Sequence, residues 1–595
     1  MPPESSPPAA SLGQDAHPRP GRGTWAWLAL IVLLGLAVRL HGIGFLSPQL
    51  MEPDGVVIDY QMRVLDGRGP ETAEHPLHAY YPHLLARIAS LVPESWVAPA
   101  DPRTLEDHLR AAGSFRMRGR IAVALLSLLA IPLTWWLARR FLPDPWPLLA
   151  AALAAASPFV VWFAQQARPH AAAASFLLLA VCAAVHLRRR GGWRAYLFAG
   201  LSAGLAVGSL QNGVAALGPI AVAVLLRWRE DRARILAGFL AILAITAAFV
   251  IWLYPFLRAG AESDGVGVDG EGTLALSRHQ VYLGLFNGRG FATVWRSLVD
   301  YDPLLTAFAL FGLAAAAIAP FVLRGRIGRE RAFDLAVVLA YALPYLLVIG
   351  LYQRTYQRFV LPLVPFLALL AAFGLFAAAR AGQRAFRPAG QAVAGLAILV
   401  AGAQFAWSWR LGTARSRTDT IQEAADWLAR NAQPDSDEID ATPGLDLPLN
   451  RTPASIRRDE SQSQEQNAPW FRHLSDPRTP TIDAPAFDVR WMDLITTEAR
   501  QRAHADAYAF ARTLTGRYAV VLVWPAKFRP AMHAVREGLK GQYELAARFS
   551  PDDPDVGDDL PLTHQDDELP TTSPWAWRIL HARCVGPSVE IYRLR

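Results

Sequence analysis

Long apolar segments recur along the first 410 residues of the chain, and short polar segments separate them. An α-helix needs about 20 apolar residues to cross a hydrocarbon core about 30 Å thick. The pattern predicts eleven membrane-spanning helices, at 24–44, 119–138, 146–165, 170–187, 194–209, 211–226, 235–256, 303–323, 333–352, 357–379 and 390–409. We therefore predict a polytopic α-helical membrane protein.

The number of spans is odd or even according to whether the segment 195–226 forms two spans or one. A single helix of this length would measure about 48 Å, which is too long for one straight span. A break at 209–213, in the sequence Ser-Leu-Gln-Asn-Gly, gives two short helices that meet near the outer face. We prefer the break because a single span would reverse the side of every later arginine cluster.

Arginine clusters follow the even-numbered spans and predict the orientation. They are Arg139 and Arg140; Arg188, Arg189, Arg190 and Arg194; Arg227, Arg229, Arg232 and Arg234; Arg324, Arg326, Arg329 and Arg331; and Arg380, Arg384 and Arg387. Cytoplasmic loops carry an excess of Lys and Arg. We expect a multi-pass protein of the plasma (inner) membrane with a cytoplasmic N-terminus and an extracytoplasmic C-terminal domain.

Composition agrees with this class. Of the 595 residues, 52% are hydrophobic and only 18% are charged. The net charge of +7 lies mostly in the arginine clusters, so it indicates topology and membrane-lipid contact and not a nucleic-acid partner. The domains predicted are a disordered cytoplasmic tail at 1–23, a transmembrane domain at 24–409 and an extracytoplasmic soluble domain at 410–595.

The outward-facing loops carry the residues that could do chemistry. The first, at 45–118, is long for a connector, and long loops tend to be functional. Together the outer loops place carboxylate, imidazole and guanidinium groups on one side of the membrane: Glu52, Asp54, His75, Arg168, His170, Arg258, Arg354 and Arg358.

Each of these residues also has a structural interpretation. Asp54, between Pro53 and Gly55, could simply end the first helix in a turn. The outward arginines could be anchors at the level of the lipid headgroups, although the positive-inside rule disfavours that side for arginine. The histidines at 75, 78 and 83 and the acidic, glycine-rich stretch 262–272 leave a divalent metal ion open as a cofactor.

Three segments of the chain resemble the GT-C membrane glycosyltransferases that include the protein O-mannosyltransferases and the aminoarabinose transferase of lipid A. The segments are Pro53-Asp54 with Gly67-Arg68-Gly69 and His75-Pro76-Leu77; Pro158–Trp162 leading into Ala167-Arg168-Pro169; and Arg358–Ala372. The chain departs from the family at two positions. Members usually carry Asp-Glu where this chain has Asp54-Gly55, and often Lys where it has His75.

The resemblance implies inverting transfer of a sugar from a polyprenyl-phosphate carrier to an acceptor hydroxyl on a lipid, glycan or protein. Asp54 is then the expected general base, because the acceptor hydroxyl must lose a proton. Cationic groups stabilise the departing phosphate, and the arginine fork suits that role. The expected substrate-binding residues are Glu52, His75, Arg168, His170, Arg258, Arg354 and Arg358.

The tail after residue 410 has an α/β or α+β pattern. Helices are predicted around 421–428 and 531–539, strands at 518–524 and 588–594, and loops at 434–487 and 550–574. Two other classes stay open for the whole chain. In a lipid-linked sugar flippase or transporter, Asp54 would act as a gate or proton site; in a non-catalytic scaffold, the site would be degenerate.

Overall fold

The computed structural model describes residues 20–49, 55–67, 81–228, 232–255, 267–268, 273–276, 279–322, 328–434, 436–443, 445–466, 468–523, 530–551 and 574–595. The predicted disordered tail lies largely outside these residues, and the first helix begins at Arg22.

The N-terminal two thirds of the described chain is helical. Its helices are α1 (Arg22–Leu40), α2 (Gly55–Leu65), α3 (Leu84–Ser90), α4 (Leu105–Ala112), α5 (Ser114–Ser127), α6 (Ala130–Ala138), α7 (Trp146–Ala156), α8 (Pro158–Ala164), α9 (His170–Arg190), α10 (Trp193–Ser209), α11 (Leu217–Leu226), α12 (Arg232–Leu253), α13 (Gly290–Tyr301), α14 (Pro303–Val322), α15 (Arg329–Leu351), α16 (Val364–Ala385) and α17 (Arg387–Ser416). Short 3₁₀ turns occur at Glu94–Trp96, Gln211–Ala216, Leu283–Leu285 and Gln357–Leu363. Between α12 and α13, the strands β1 (Gly267–Val268), β2 (Thr273–Leu276) and β3 (His279–Tyr282) form an antiparallel sheet.

Seven of the described helical segments are long and apolar enough to cross a membrane, or up to nine if each bent helix pair is one span. The protein is thus a polytopic helical membrane protein, while the total of eleven spans stays a prediction. Helix α9 lies at the centre of the bundle, because nearly all of its residues are buried.

Two pairs of consecutive helices are sharply bent. Helices α7 and α8, within the predicted span 146–165, meet at 49°, and α13 and α14, at the start of the predicted span 303–323, meet at 119°. Proline begins the second helix of each pair, because its ring fixes the backbone angle and it needs no hydrogen-bond partner there. The two bends are joined, because the Ser157 hydroxyl donates to the buried Asp302 carboxylate at 2.6 Å and Gln404 of α17 donates to the same group at 2.7 Å.

The break predicted at 209–213 is observed. Helix α10 ends at Ser209 and a 3₁₀ turn follows. Gly213 lies directly against α10, where an added Cβ would stand 2.2 Å from the carbonyl of Ala206. Only glycine permits this close approach, so the chain can turn back onto the helix.

A buried ion-pair cluster joins the arginine-rich end of α9 to α15. The carboxylate of Asp334 is fully buried and binds Arg188 and Arg189, each at 2.5 Å. Glu330 also contacts Arg188 at 2.9 Å. Part of the positive charge that the sequence places in this loop is therefore neutralised inside the protein.

The C-terminal part folds around a six-stranded mixed sheet. Its elements are α18 (Thr420–Asn431), β4 (Glu438–Ala441), β5 (Asn450–Arg451), α19 (Pro453–Gln466), α20 (Pro469–Ser475), β6 (Ala486–Trp491), α21 (Thr497–Ala505), α22 (Ala507–Ala511), β7 (Tyr518–Val523), α23 (Pro530–Leu539), β8 (Tyr543–Phe549), α24 (Trp575–His581) and β9 (Ser588–Leu594). The strand order is β5-β6-β4-β7-β9-β8. The first four strands are parallel to one another, and β9 pairs antiparallel with both β7 and β8.

This arrangement agrees with the α/β pattern predicted for the tail, with one correction. The segment 434–487 was expected to be a loop, yet it contains two strands and two helices. Both strands are very short, and α19 is strongly polar, so the segment lacks the apolar periodicity that would have indicated them. The predicted loop at 550–574 lies largely outside the described residues.

The first outer loop binds the C-terminal domain. Phe45 and Leu46 are buried in the same core as Ile421, and the Gln49 amide donates to the Asp446 carbonyl. Farther along the loop, His108 Nδ1 of α4 lies 3.0 Å from His473 Nε2 of α20. Described parts of this segment, before and after residues 50–54, therefore contact the C-terminal domain.

Candidate active site

A cavity of about 910 Å³ opens among helices that are far apart in the sequence. Residues from α2, the start of α9, the 211–216 turn, α15 and the 357–363 turn form its wall. This volume is near the upper end of the range of roughly 300–1,000 Å³ that is usual for small-molecule sites. Most of the wall is apolar or aromatic, including Leu210, Val214, Phe286, Pro344 and Val348.

The described wall of the cavity has basic side chains but no acidic ones. Among the described lining residues, Arg358 carries the one guanidinium, His170 supplies an imidazole, and none has a carboxylate. Arg358 is 8% exposed, with its Cζ 4.2 Å from the centre of the Tyr356 ring. The described part of the cavity therefore favours an anionic group beside an apolar one.

His170 and Arg358 share an aromatic neighbour. The ring of Phe359 lies 5.8 Å from the His170 ring, centre to centre, and 5.5 Å from the Arg358 guanidinium. His170 is the first residue of α9, and Arg358 belongs to the 3₁₀ turn that enters α16. A guanidinium and an imidazole from two segments that are distant in the sequence thus meet at one end of the cavity.

A second polar group lies on the wall formed by the 211–216 turn and α15. The Asn212 amide donates to the Tyr345 hydroxyl at 3.2 Å, and this hydroxyl donates to the Phe359 carbonyl at 2.9 Å. Tyr341 lies one helical turn earlier and stacks on Tyr345 at 5.4 Å. The Tyr341 hydroxyl and the side-chain oxygen Oδ1 of Asn212 are buried, and neither has a protein hydrogen-bond partner.

Helix α2 connects this cavity to the candidate base. Val57, Ile58 and Gln61 of α2 face the cavity, and the Gln61 amide donates to the Tyr81 carbonyl at 3.2 Å. Asp54 is bonded to Gly55, the first residue of α2. The helix that follows the candidate base therefore forms part of the cavity wall.

Two buried arginines of α5 hold the chain that leads into this helix. Arg116 Nη1 donates to the carbonyls of Pro48, at 2.8 Å, and Gln49, and its Nη2 lies 3.6 Å from the Asp59 carboxylate of α2. Arg120 donates to the carbonyls of Ile43 and Phe45 at 2.9 and 2.7 Å. These contacts fix the described residues on both sides of 50–54.

The structure brings together only part of the predicted site. His170 and Arg358 both line the cavity. Arg168 is fully buried in the turn between α8 and α9 and is not among the lining residues. Arg354 is exposed, with its Cζ 4.6 Å from the centre of the Tyr282 ring, and it does not line the cavity either. Glu52, Asp54, His75 and Arg258 lie outside the described residues, and their roles stay predictions.

Sequence reasoning missed several lining residues: Gln61, Asn212, Tyr341, Tyr345 and Thr355. One signal was present, since two tyrosines four residues apart in an otherwise apolar span place two polar groups on one helix face. The other residues have no local signal, because the packing of distant helices creates their role.

No group of three or more His, Cys, Asp or Glu side chains suited to a metal ion is found within the described ranges. Of the three histidines considered as ligands, His83 is buried beneath the end of α12, where its backbone amide donates to the Leu253 carbonyl. The histidines at 75 and 78 lie outside the described residues.

Comparison with known proteins identifies the class. Residues 110–256 match the family model described as dolichyl-phosphate-mannose-protein mannosyltransferase. Of the three resembling segments, the one that contains Pro158–Trp162 lies within this match. No curated protein matches the chain.

Solved structures similar to the chain include three membrane enzymes. The apo oligosaccharyltransferase of Archaeoglobus fulgidus is 12% identical, with 94% of this chain and 77% of that chain covered and a TM-score of 0.46. Apo ArnT from Cupriavidus metallidurans is 14% identical, with 89% of this chain and 97% of that chain covered and a TM-score of 0.43. The Saccharomyces cerevisiae Pmt1-Pmt2 protein O-mannosyltransferase complex bound to the sugar donor is 15% identical, with 43% of this chain and 35% of that chain covered and a TM-score of 0.31.

The family-model match confirms the resemblance indicated by the sequence motifs: this polytopic helical membrane protein is similar, over residues 110–256, to the dolichyl-phosphate-mannose-protein mannosyltransferase family of GT-C glycosyltransferases.

Proposed function

We propose that the protein is a glycosyltransferase that takes a sugar from a polyprenyl-phosphate donor and transfers it, with inversion, to an acceptor hydroxyl at the extracytoplasmic face. The observation that carries this proposal is the cavity with apolar walls and with Arg358 and His170 at one end. A lipid-linked sugar phosphate combines an apolar chain with an anionic group, and the two parts of the cavity match them.

The reaction requires one proton transfer and one exchange of bonds. Asp54 accepts the proton of the acceptor hydroxyl, and the acceptor oxygen forms a bond to the anomeric carbon of the sugar. The bond from that carbon to the phosphate oxygen breaks, and polyprenyl phosphate leaves with the electron pair. Arg358 and His170 stabilise the negative charge that the leaving phosphate gains.

One feature supports Asp54 as the base: its peptide bond joins it to Gly55, the first described residue of α2. The described residues of α2 face the same cavity as Arg358. The substrate-binding roles of Glu52, His75, Arg168, Arg258 and Arg354 rest on the sequence alone.

Turnover of lipid-linked donors by purified protein in proteoliposomes tests this function. A panel of polyprenyl-phosphate sugars should include one whose glycosyl-phosphate bond is cleaved, with release of polyprenyl phosphate. Donor that crosses the bilayer with its covalent structure intact would instead identify a flippase. Donor that is neither cleaved nor moved, across a panel of sugars and acceptors, would contradict both activities and favour the scaffold.

A further inference from the structure

Helix α24 comes from the C-terminal domain, between β8 and β9, yet it packs against the membrane helices. Its residues Trp575, Ala576 and Ile579 are each at most 3% exposed. The Trp575 ring lies 5.2 Å from that of Trp162 of α8 and 6.2 Å from that of Tyr301 of α13, centre to centre. One face of α24 is therefore part of the core of the transmembrane domain.

Hydrogen bonds fix α24 along the last turns of α17. The Trp407 indole donates to the Ala576 carbonyl at 2.8 Å, and Arg410 donates to the carbonyls of Leu580, at 3.3 Å, and Ala582. Arg410 thus satisfies two carbonyls near the C-terminal end of α24, where helices have no internal partner for them. These hydrogen bonds fix the position of this short helix on the membrane domain.

The opposite face of α24 is exposed and mainly apolar, and it includes His581, whose ring lies 4.8 Å from the Trp577 ring, centre to centre. Trp577 is 57% exposed and Leu580, three residues later on the same face, is 38% exposed. A short helix that is mainly apolar on both faces does not suit an aqueous surface, because its outer face would remain in contact with water.

The helices against which α24 packs also expose apolar and aromatic residues. Helix α17, on which α24 lies, exposes Ile398 and Leu399 by 73% and 70% and Trp409 by 50%. Helix α13, which also packs against α24, exposes Trp295 by 51% and turns by 119° from the spanning helix α14. Each of these three helices therefore exposes a tryptophan, and tryptophan concentrates at the boundary between hydrocarbon and water in membrane proteins.

We propose that α24 is an interfacial membrane helix, and that its Trp577 and Leu580 side chains insert into the outer leaflet of the bilayer. The C-terminal domain is then attached to the membrane by α24 as well as by the covalent connection through α17. This attachment does not depend on the proposed glycosyltransferase activity. Its partner is lipid at the hydrocarbon boundary, recognised by apolar contact and by the amphipathic indole ring.

Depth-dependent quenching tests the insertion. In Trp577→Cys a small fluorophore is attached at the new cysteine, and the protein is placed in phosphatidylcholine nanodiscs with or without lipids that carry a quencher on the acyl chain. Cys182 and Cys584 are buried, and both are replaced by alanine before labelling. Tyr508→Cys provides the matched control, because Tyr508 is an aromatic residue of the same domain with 60% exposure but lies on α22, away from the membrane helices.

We expect the label at 577 to be quenched several-fold more by the acyl-chain quencher than by a water-soluble quencher, and the label at 508 to show the reverse order. Equal behaviour of the two labels would overturn the proposal, as would quenching at 577 from the aqueous phase alone. Protection of the 577 label from both quenchers would also overturn it, because a protein surface would then cover the helix.

Discussion

Replacement of Arg116 is predicted to misplace Asp54 without removing it. Arg116 is 2% exposed, and it contacts the chain on both sides of 50–54, at Pro48 and Gln49 before it and at Asp59 after it. In Arg116→Met the two carbonyls lose a charged donor and the buried Asp59 loses its cation. Removal of one partner of a buried ion pair costs about 3–5 kcal/mol, so we expect a loss of apparent unfolding free energy of this size.

The loss of activity should exceed the loss of folded protein. A displacement of about 1 Å at a reacting group can reduce turnover about 100-fold. We therefore expect kcat per folded molecule to fall about 10- to 100-fold, with a much smaller change in KM for the donor. The assay measures initial rates of donor cleavage at saturating acceptor, normalised to the folded fraction from size-exclusion chromatography.

Arg39 provides the matched control for this variant. It is also fully buried, and it donates to Ser127 at 2.8 Å, to Gly35 at 3.0 Å and to Ala155 at 2.9 Å, none of which adjoins 50–54. Arg39→Met should lose stability through these three hydrogen bonds and keep its turnover per folded molecule. Equal kcat losses in the two variants would refute the positioning role.

A double-mutant cycle isolates the contact with Asp59. Asp59→Asn in the Arg116→Met background removes the uncompensated carboxylate, so the double variant should be more stable than the sum of the two single losses predicts. The expected coupling is about 1 kcal/mol, within the range of about 0.5–3 kcal/mol that is usual for residues in contact. Strict additivity would show that the 3.6 Å pair contributes nothing.

Two further predictions concern the cavity and the domain contact. Arg358→Gln should lower kcat/KM for the donor about 10- to 100-fold, since a hydrogen bond to a charged group contributes about 1.5–3 kcal/mol. Arg103→Gln, which changes an arginine with an 83% exposed side chain outside the cavity, should change it less than threefold. The opposite ranking in steady-state kinetics would be inconsistent with the cavity assignment. Burial lowers the pKa of His473 to about 4; His108 and Arg63 lower this pKa further, and Asp476 raises it. The native state therefore binds this proton at a lower pH than the unfolded chain does, so the melting temperature should fall as the pH decreases from about 6.5 to 4. His473→Gln should flatten this dependence of the melting temperature on pH.

The sequence predicted the helices of the membrane domain well where apolar length alone defines them. The central helix at 170–187 and the break after Ser209 are both observed. The bends at Ser157 and Asp302 were missed, because a buried hydrogen-bond network between distant residues stabilises them. The helix at 290–301 was missed because its short amphipathic pattern lies within a predicted outer loop.

Less of the candidate site could be predicted from the sequence. His170 and Arg358 were identified because arginine and histidine are unusual in outward turns of a membrane protein. Tyr341, Tyr345 and Asn212 became candidates only through the packing of α15 against the 211–216 turn. The C-terminal helix α24 was assigned to a soluble domain, because a single sequence does not show which surface its tryptophans meet.

The most direct test of the central claim compares Asp54→Asn with Asp101→Asn in the donor-cleavage assay. Both variants remove a carboxylate from the first outer loop, but Asp101 is 69% exposed and pairs only with surface Arg103 among the described contacts. We expect Asp54→Asn to bind donor with unchanged affinity and to reduce turnover by at least about 100-fold, within the range of about 10²–10⁴ for loss of a general base, while Asp101→Asn keeps wild-type turnover. Wild-type turnover in folded Asp54→Asn would contradict the account.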